Sequence, residues 1–309
     1  ASTDYAWNES SKELLNDDGK DYKTAFIPQM DLKKTIVPIS KVLEELNDWY
    51  AVESKYDNKY FNKTKEELEK AKNDSKKTVA YMVKEFEMKK SADAYARATT
   101  SKTGMLDIGQ LHTYKYNDDI FAKVTTLPGA KNHGLVMFLD WSGSMAGNLK
   151  GTLNQLYNLI WFCKKVSIPF DVYAFTDLYR RYRDKETQIQ KFRSGELDVN
   201  DLRLLHLFSD KMKNTQELNM MHNLYMIACK WSYRDWRTEG YPYKCPPHYN
   251  LGGTPLNSAI ISAMQIVPEF KNSRGIQKVH TVFLTDGSSN DVRKFVMFKR
   301  DEKWIEGNE

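Results

Sequence analysis

The segment Asp140-Trp141-Ser142-Gly143-Ser144 sets one carboxylate and two hydroxyls at alternate positions of a short stretch. On an extended loop, residues i, i+2 and i+4 project to the same side, so three oxygen-bearing side chains can aim at one point. Hard oxygen donors suit Mg²⁺, or a similar ion such as Mn²⁺ or Ca²⁺, rather than zinc or copper. Gly143 lets the backbone curl closely around such an ion. Two further segments offer matching groups: Thr254 in Gly252-Gly253-Thr254-Pro255, and Asp286 in Thr285-Asp286-Gly287. Asp140, Ser142, Ser144, Thr254 and Asp286 are therefore the expected metal ligands. Octahedral Mg²⁺ at ~2.0–2.1 Å takes six oxygens, which leaves room for water or an external carboxylate. An ion held largely by neutral hydroxyls stays under-neutralised and attracts an acidic side chain from a partner. That is a binding device, and it requires no catalytic base.

The elements that must position these loops are legible as hydrophobic runs. Leu135 to Leu139 is a continuous apolar stretch of strand length, as expected for a strand buried on both faces. Phe170 to Phe175 and Val279 to Leu284 read as a second and third strand of the same kind. Leu149, Leu153, Leu156 and Ile160 mark one amphipathic helix, and Leu256, Ala259, Ile260, Ala263, Ile266 and Val267 another. Strands alternating with helices predict an α/β fold with a doubly wound, mostly parallel sheet, whose ligands bind at the carboxyl ends of the strands. Residues 177 to 250 read as a long insertion, helical around Leu218 to Trp231 and then rich in Pro and Tyr (Tyr241-Pro242-Tyr243, Pro246-Pro247).

The N-terminal region, residues 1 to 96, reads as charged and mainly helical, with residues 97 to 309 forming the α/β domain. Residues 1 to about 33 are polar and expected to be irregular. Val42, Leu43, Leu46, Trp49 and Tyr50 follow helical spacing, with Ser40 a candidate N-cap. Thr64 and Glu67 resemble a capping box that opens a second, charged helix. Val79, Met82, Val83 and Phe86 share a face further on.

Composition excludes several classes. The net charge of +5 comes from 46 basic against 41 acidic residues, a mild bias that gives no strong nucleic-acid signal. The Lys-rich stretch from Lys63 to Lys77 is interrupted by Glu66, Glu67 and Glu69 and reads as a solvated helix face. Three cysteines, Cys163, Cys229 and Cys245, suit a reducing compartment better than a disulfide framework. No apolar run approaches the ~20 residues of a membrane span. The expected setting is cytoplasmic, with no membrane partner.

The Asp-x-Ser-x-Ser, Thr, Asp pattern at 140–144, 254 and 286 resembles the metal-ion-dependent adhesion site of the von Willebrand factor A family. It is closer still to the cobaltochelatase T-subunit (CobT-like) branch, through Arg97, Thr103-Gly104-Met105-Leu106-Asp107, Leu111, Phe121 and Gly252-Gly253-Thr254-Pro255-Leu256. Phage-encoded relatives are similar across His112 to Met145. The resemblance spans about residues 97 to 290. It implies a non-ATPase partner of an AAA+ ATPase of the MoxR or chelatase S-subunit kind, the cation engaging an acidic residue on the ATPase or on a client. In the chelatases such an assembly drives ATP-dependent metal insertion into a tetrapyrrole. The chain departs from the family in two ways. Only 23 residues follow Asp286, so the C-terminal part of the domain is expected to be incomplete, and Trp141 is expected to alter the rim of the site.

Two alternatives stand beside this reading. One is a structural or virion-associated scaffold, in the host cytoplasm or in the particle. The other is a metallopeptidase, which needs two histidines one helical turn apart with a glutamate between them. None of His112, His133, His206, His222, His248 or His280 has that neighbourhood, and each reads as a surface or satisfied core residue. No Gly-Lys-Ser/Thr follows a glycine at phosphate-loop spacing. Ser142 and Ser144 have no histidine base nearby in sequence to activate them as nucleophiles.

Overall fold

The computed structural model describes residues 25–55, 58–96, 99–106, 115–116, 121–126, 132–179, 193–232, 245–287, 289–300 and 303–308. In chain order the elements are α1 (Leu32–Thr35), β1 (Ile36–Val37), α2 (Ile39–Glu53), α3 (Asn58–Ala96), β2 (Thr99–Leu106), β3 (Phe121–Thr126) and β4 (His133–Asp140). They continue with α4 (Leu149–Lys165), β5 (Phe170–Thr176), β6 (Leu197–Asp198), β7 (Arg203–Ser209), α5 (Asn214–Ser232), α6 (Leu256–Arg274), β8 (Lys278–Leu284), β9 (Arg293–Arg300) and β10 (Lys303–Asn308).

The chain divides into two compact units. The larger comprises residues 30–190 and 199–292 and contains a five-stranded sheet in the order β1-β7-β5-β4-β8. β5 and β8 flank β4 in parallel, and β1 runs parallel to β7, whereas β7 is antiparallel to β5. The fold is thus α/β with a mixed, mostly parallel sheet. The smaller unit comprises residues 1–29, 191–198 and 293–309, with a three-stranded antiparallel sheet in the order β10-β9-β6. The 96/97 boundary expected from sequence does not coincide with this division, since α2 and α3 share a unit with the five-stranded sheet. Among the described residues, no helix is long and apolar enough to cross a membrane.

Alternation along β4 sorts its side chains between two faces. Met137 and Leu139 join a core with Val42 and Leu46 of α2, Leu149, Leu153, Leu156 and Ile160 of α4, and Met220, Met221 and Leu224 of α5. On the other face Phe138 stacks on Phe283 at 4.7 Å between ring centres. A Cβ at Gly134 would come within 2.8 Å of Phe270 on α6, so only glycine permits that close packing. Gly275, at φ +61°, closes α6 in the left-handed conformation typical of a C-cap.

Several sequence expectations are corrected. The span 177–250 is not simply an insertion, because β7 within it is hydrogen-bonded between β1 and β5, and α5 packs in the core. Its buried run Arg203–Ser209 was overlooked because strand β7 runs opposite to its neighbour and breaks the parallel pattern. β8 was expected to be buried on both faces, yet it is the sheet edge and its side chains are half-exposed or exposed. Pro38, not Ser40, is the N-cap of α2. Thr64 opens no helix: it lies inside the 39-residue α3, where its hydroxyl donates to the carbonyl of Phe61 at 3.0 Å and stands 3.1 Å from His222 Nε2. Val79, Met82, Val83 and Phe86 belong to that same helix. Arg97, Asp107, Leu111, His112 and the Tyr241-Pro242-Tyr243 stretch lie outside the described residues.

Leu46 is fully buried where α2 meets the sheet. Leu46→Ala is expected to cost about 2–5 kcal/mol, measured by urea unfolding. It should shift one cooperative transition that Leu153→Ala in α4 shifts as well. Separate transitions for the two variants would contradict a shared core.

Candidate metal centre

β4 delivers Asp140 to the carboxyl edge of the sheet, and both Asp140 and Ser142 are fully buried. Asp140 Oδ2 accepts a 2.6 Å hydrogen bond from the Thr285 hydroxyl, whereas Oδ1 is buried with no hydrogen-bond partner. Burial raises the Asp140 carboxyl above its ordinary range. The Thr285 hydrogen bond and the nearby Ser142 polar groups oppose the rise, and the charge of Asp286 adds to it. Ser142 and Ser144 stand with their hydroxyl oxygens 2.9 Å apart. Ser144 and Asp286 are exposed, while Thr254 is buried.

Backbone hydrogen bonds join the loops. Gly143 N–H donates to the Gly252 carbonyl at 2.8 Å, and Gly252 N–H donates to the Trp141 carbonyl at 3.2 Å, a parallel bridge between Ser142 and Gly252. The Thr254 carbonyl accepts from Asn290 N–H at 2.8 Å, and Asn257 N–H donates to the Ser289 hydroxyl at 3.2 Å. The 140–144 segment is thus tied to the 252–254 loop, and that loop to residues 289–290. Thr254 reaches the centre through its loop, with no direct side-chain hydrogen bond to the other four residues.

Two contributors escaped the sequence reading. Thr285 was noted only as the neighbour of Asp286, yet it supplies the hydroxyl that holds Asp140. Asp177, at the carboxyl end of β5 and buried, accepts a 2.8 Å hydrogen bond from Gly253 N–H. A Cβ on Gly253 would stand 2.6 Å from Asn290 Nδ2 and 3.0 Å from Asp177 Oδ2, so a larger residue would have to push aside the carboxylate that holds this loop. The sequence signal for Asp177 was available: an aspartate at the carboxyl end of a continuous apolar run, as at Asp140. Trp141 does not shape the rim. It is buried, and its indole N–H donates to the Tyr249 carbonyl at 2.8 Å, fixing the 247–249 turn beneath the loop.

The donor set fits a hard divalent cation. A buried carboxylate oxygen without a partner lies beside hydroxyls and near a second carboxylate, and carboxylate with hydroxyl oxygen is the chemistry of Mg²⁺, Mn²⁺ or Ca²⁺. Among the described residues no three His, Cys, Asp or Glu side chains cluster as metal ligands, so hydroxyls and water would complete the shell. Compared with protein-family models, curated proteins and solved structures, the chain matches none.

A carboxylate whose proton affinity is raised by folding destabilises the folded state as pH climbs through and above the ordinary carboxylate range, because ionisation is costlier there than in the unfolded chain. Asp140→Asn, which cannot ionise, is therefore expected to raise the melting temperature of the metal-free protein at neutral pH, an advantage that vanishes in acid. The same variant should lose any stabilisation by Mg²⁺. Thermal scans across pH with EDTA or Mg²⁺ read both effects, and an Asn variant less stable than wild type in EDTA at neutral pH would contradict the burial argument. Asp177→Ala frees the Gly253 N–H and is expected to weaken Mg²⁺ binding about tenfold, the loss of ~1.4 kcal/mol of loop order, as titration calorimetry would measure.

Proposed function

We propose that this chain is a von Willebrand factor A-type interaction module. In this reading Asp140, Ser142, Ser144, Thr254 and Asp286 hold Mg²⁺, and the ion docks an acidic side chain of a partner protein. The observation that carries the reading is Asp140 Oδ1, a buried carboxylate oxygen at a strand end with no hydrogen-bond partner. Desolvating a carboxylate is unfavourable unless something compensates for it, and a bound cation provides that compensation. Asp140 would hold the ion, the serine and threonine hydroxyls would contribute neutral oxygens, and Thr285 orients the carboxylate by its hydrogen bond. Asp177 positions the Gly252-Gly253-Thr254 loop.

The bound ion supplies a positive charge at the surface that attracts an external carboxylate. Ser144 and Asp286 are exposed and form the open side of the centre. The mixed, mostly parallel sheet, with Asp140 at the carboxyl end of β4, supports the reading at the level of the α/β class. The sequence resemblance to the cobaltochelatase T-subunit branch makes the partner an AAA+ ATPase or its client, with the chain as the non-ATPase member of a chelatase-like complex.

The test is affinity capture from the native host lysate, with Mg²⁺ and with EDTA, comparing wild type with Asp140→Ala. An AAA+ ATPase recovered by wild type in Mg²⁺, and lost both in EDTA and in the variant, is the expected result. A partner retained equally under all conditions would sink the cation bridge.

A further inference from the structure

His133 and His280 lie at the opposite end of the sheet from the Asp140 centre, on the adjacent parallel strands β4 and β8. Leu135 is the register partner of His280, so the two histidines project from the same face, offset by two positions. His133 Nδ1 stands 3.1 Å from His280 Nε2. The ring planes are parallel to within 8° with centres 5.4 Å apart, a separation that exceeds the nitrogen distance by about two ring radii. The rings therefore meet edge to edge in nearly one plane, joined by one N–H···N bond, rather than lying face over face.

We propose that this pair is a two-histidine site for a borderline divalent transition-metal ion such as Zn²⁺, Ni²⁺ or Cu²⁺. Two imidazole nitrogens each at ~2.0–2.1 Å from one ion stand ~2.9–3.4 Å apart at tetrahedral or square angles, and the pair is already spaced within that window. Imidazole suits these ions and not Mg²⁺. Rotation about each Cβ–Cγ bond, a broad torsion, turns the two nitrogens from each other toward a shared point outside the strands. The ring that donates in the N–H···N bond passes that proton through solvent to its own remote nitrogen, and the accepting ring already carries its proton there, so both facing nitrogens present lone pairs with no net proton loss. His280 is exposed and His133 half-exposed, which leaves the remaining coordination positions to water.

The consequence is a staple on the sheet edge. Among the described residues β8 is the edge strand, paired with β4 alone in its sheet, and Thr285 and Asp286 follow just past its other end. His133 and Asp140 lie seven residues apart on one strand, about 23 Å, so the two centres do not share ligands. The buried thiols of Cys163 and Cys245, each pushed up to about 12, and of Cys229, pushed up to about 11, stay protonated and do not compete.

The test uses the tag-free chain of residues 1–309 in excess Mg²⁺, titrated with Zn²⁺ or Ni²⁺ and followed by calorimetry and thermal scans. One ion per chain and a melting temperature raised by several degrees are expected, lost in both His133→Ala and His280→Ala and retained in Asp140→Ala. Cu²⁺-loaded protein should show two imidazole nitrogens in its electron paramagnetic resonance spectrum. Absence of binding, or binding unchanged in the two histidine variants, would overturn the site and leave the pair as a hydrogen bond alone. Neither result bears on the Mg²⁺ reading, which Asp140→Ala probes separately.

Discussion

The arrangement at the carboxyl edge of the sheet depends on one constraint: a carboxylate has been taken fully out of water with too few donors to satisfy it. Asp140 receives a short hydrogen bond from Thr285 on one oxygen, and among the described residues no donor reaches the other. Burial and the charge of Asp286 both favour its proton. Left like this, the group opposes folding. With a divalent ion beside it, the same burial strengthens the attraction, because a low local dielectric magnifies interactions between charges. On the proposed reading, the cost of burying the carboxylate and its affinity for a cation would have one origin.

The surrounding structure keeps that carboxylate in place. Hydrophobic residues of β4 are packed on both faces, so the strand cannot slide to release its terminal aspartate. The loop after β4 is stitched to the Gly252–Gly253 segment by backbone hydrogen bonds, and Asp177 anchors that segment from the end of β5. Glycine at 252 and 253 is what lets two loops and a buried carboxylate approach so closely. The reversed strand β7 still brings its starting end beside the finish of β5, through the pairing of Thr176 with Arg203.

The runs at Leu135–Leu139, Phe170–Phe175 and Val279–Leu284 revealed three strands because parallel strands in the middle of a sheet carry uninterrupted apolar sequence. The same logic misjudged β8, which carries that composition at an edge where exposure is allowed. It also hid β7 inside an apparent insertion, since antiparallel placement is a long-range choice that no local pattern encodes. Cap positions failed at Ser40 and Thr64 because tertiary packing extended both helices beyond their local signals; Thr64 is held by His222, distant in sequence. At the candidate metal centre, spacing singled out three loops, of which 140–144 and 252–254 are joined by backbone hydrogen bonds, whereas the contacts of Thr285 and Asp177 run across strands and leave no local pattern. The edge-to-edge pair of His133 and His280 was invisible for the same reason: only the register of β4 against β8 brings the two rings together.

The most direct measurement is anomalous scattering from crystals grown with Mn²⁺ in place of Mg²⁺. The account requires a single strong Mn²⁺ peak within bonding distance of Asp140, enclosed by oxygens of Ser142, Ser144, Thr254 and Asp286 directly or through water. Crystals showing no peak there, or Mn²⁺ bound only elsewhere on the chain, would contradict it.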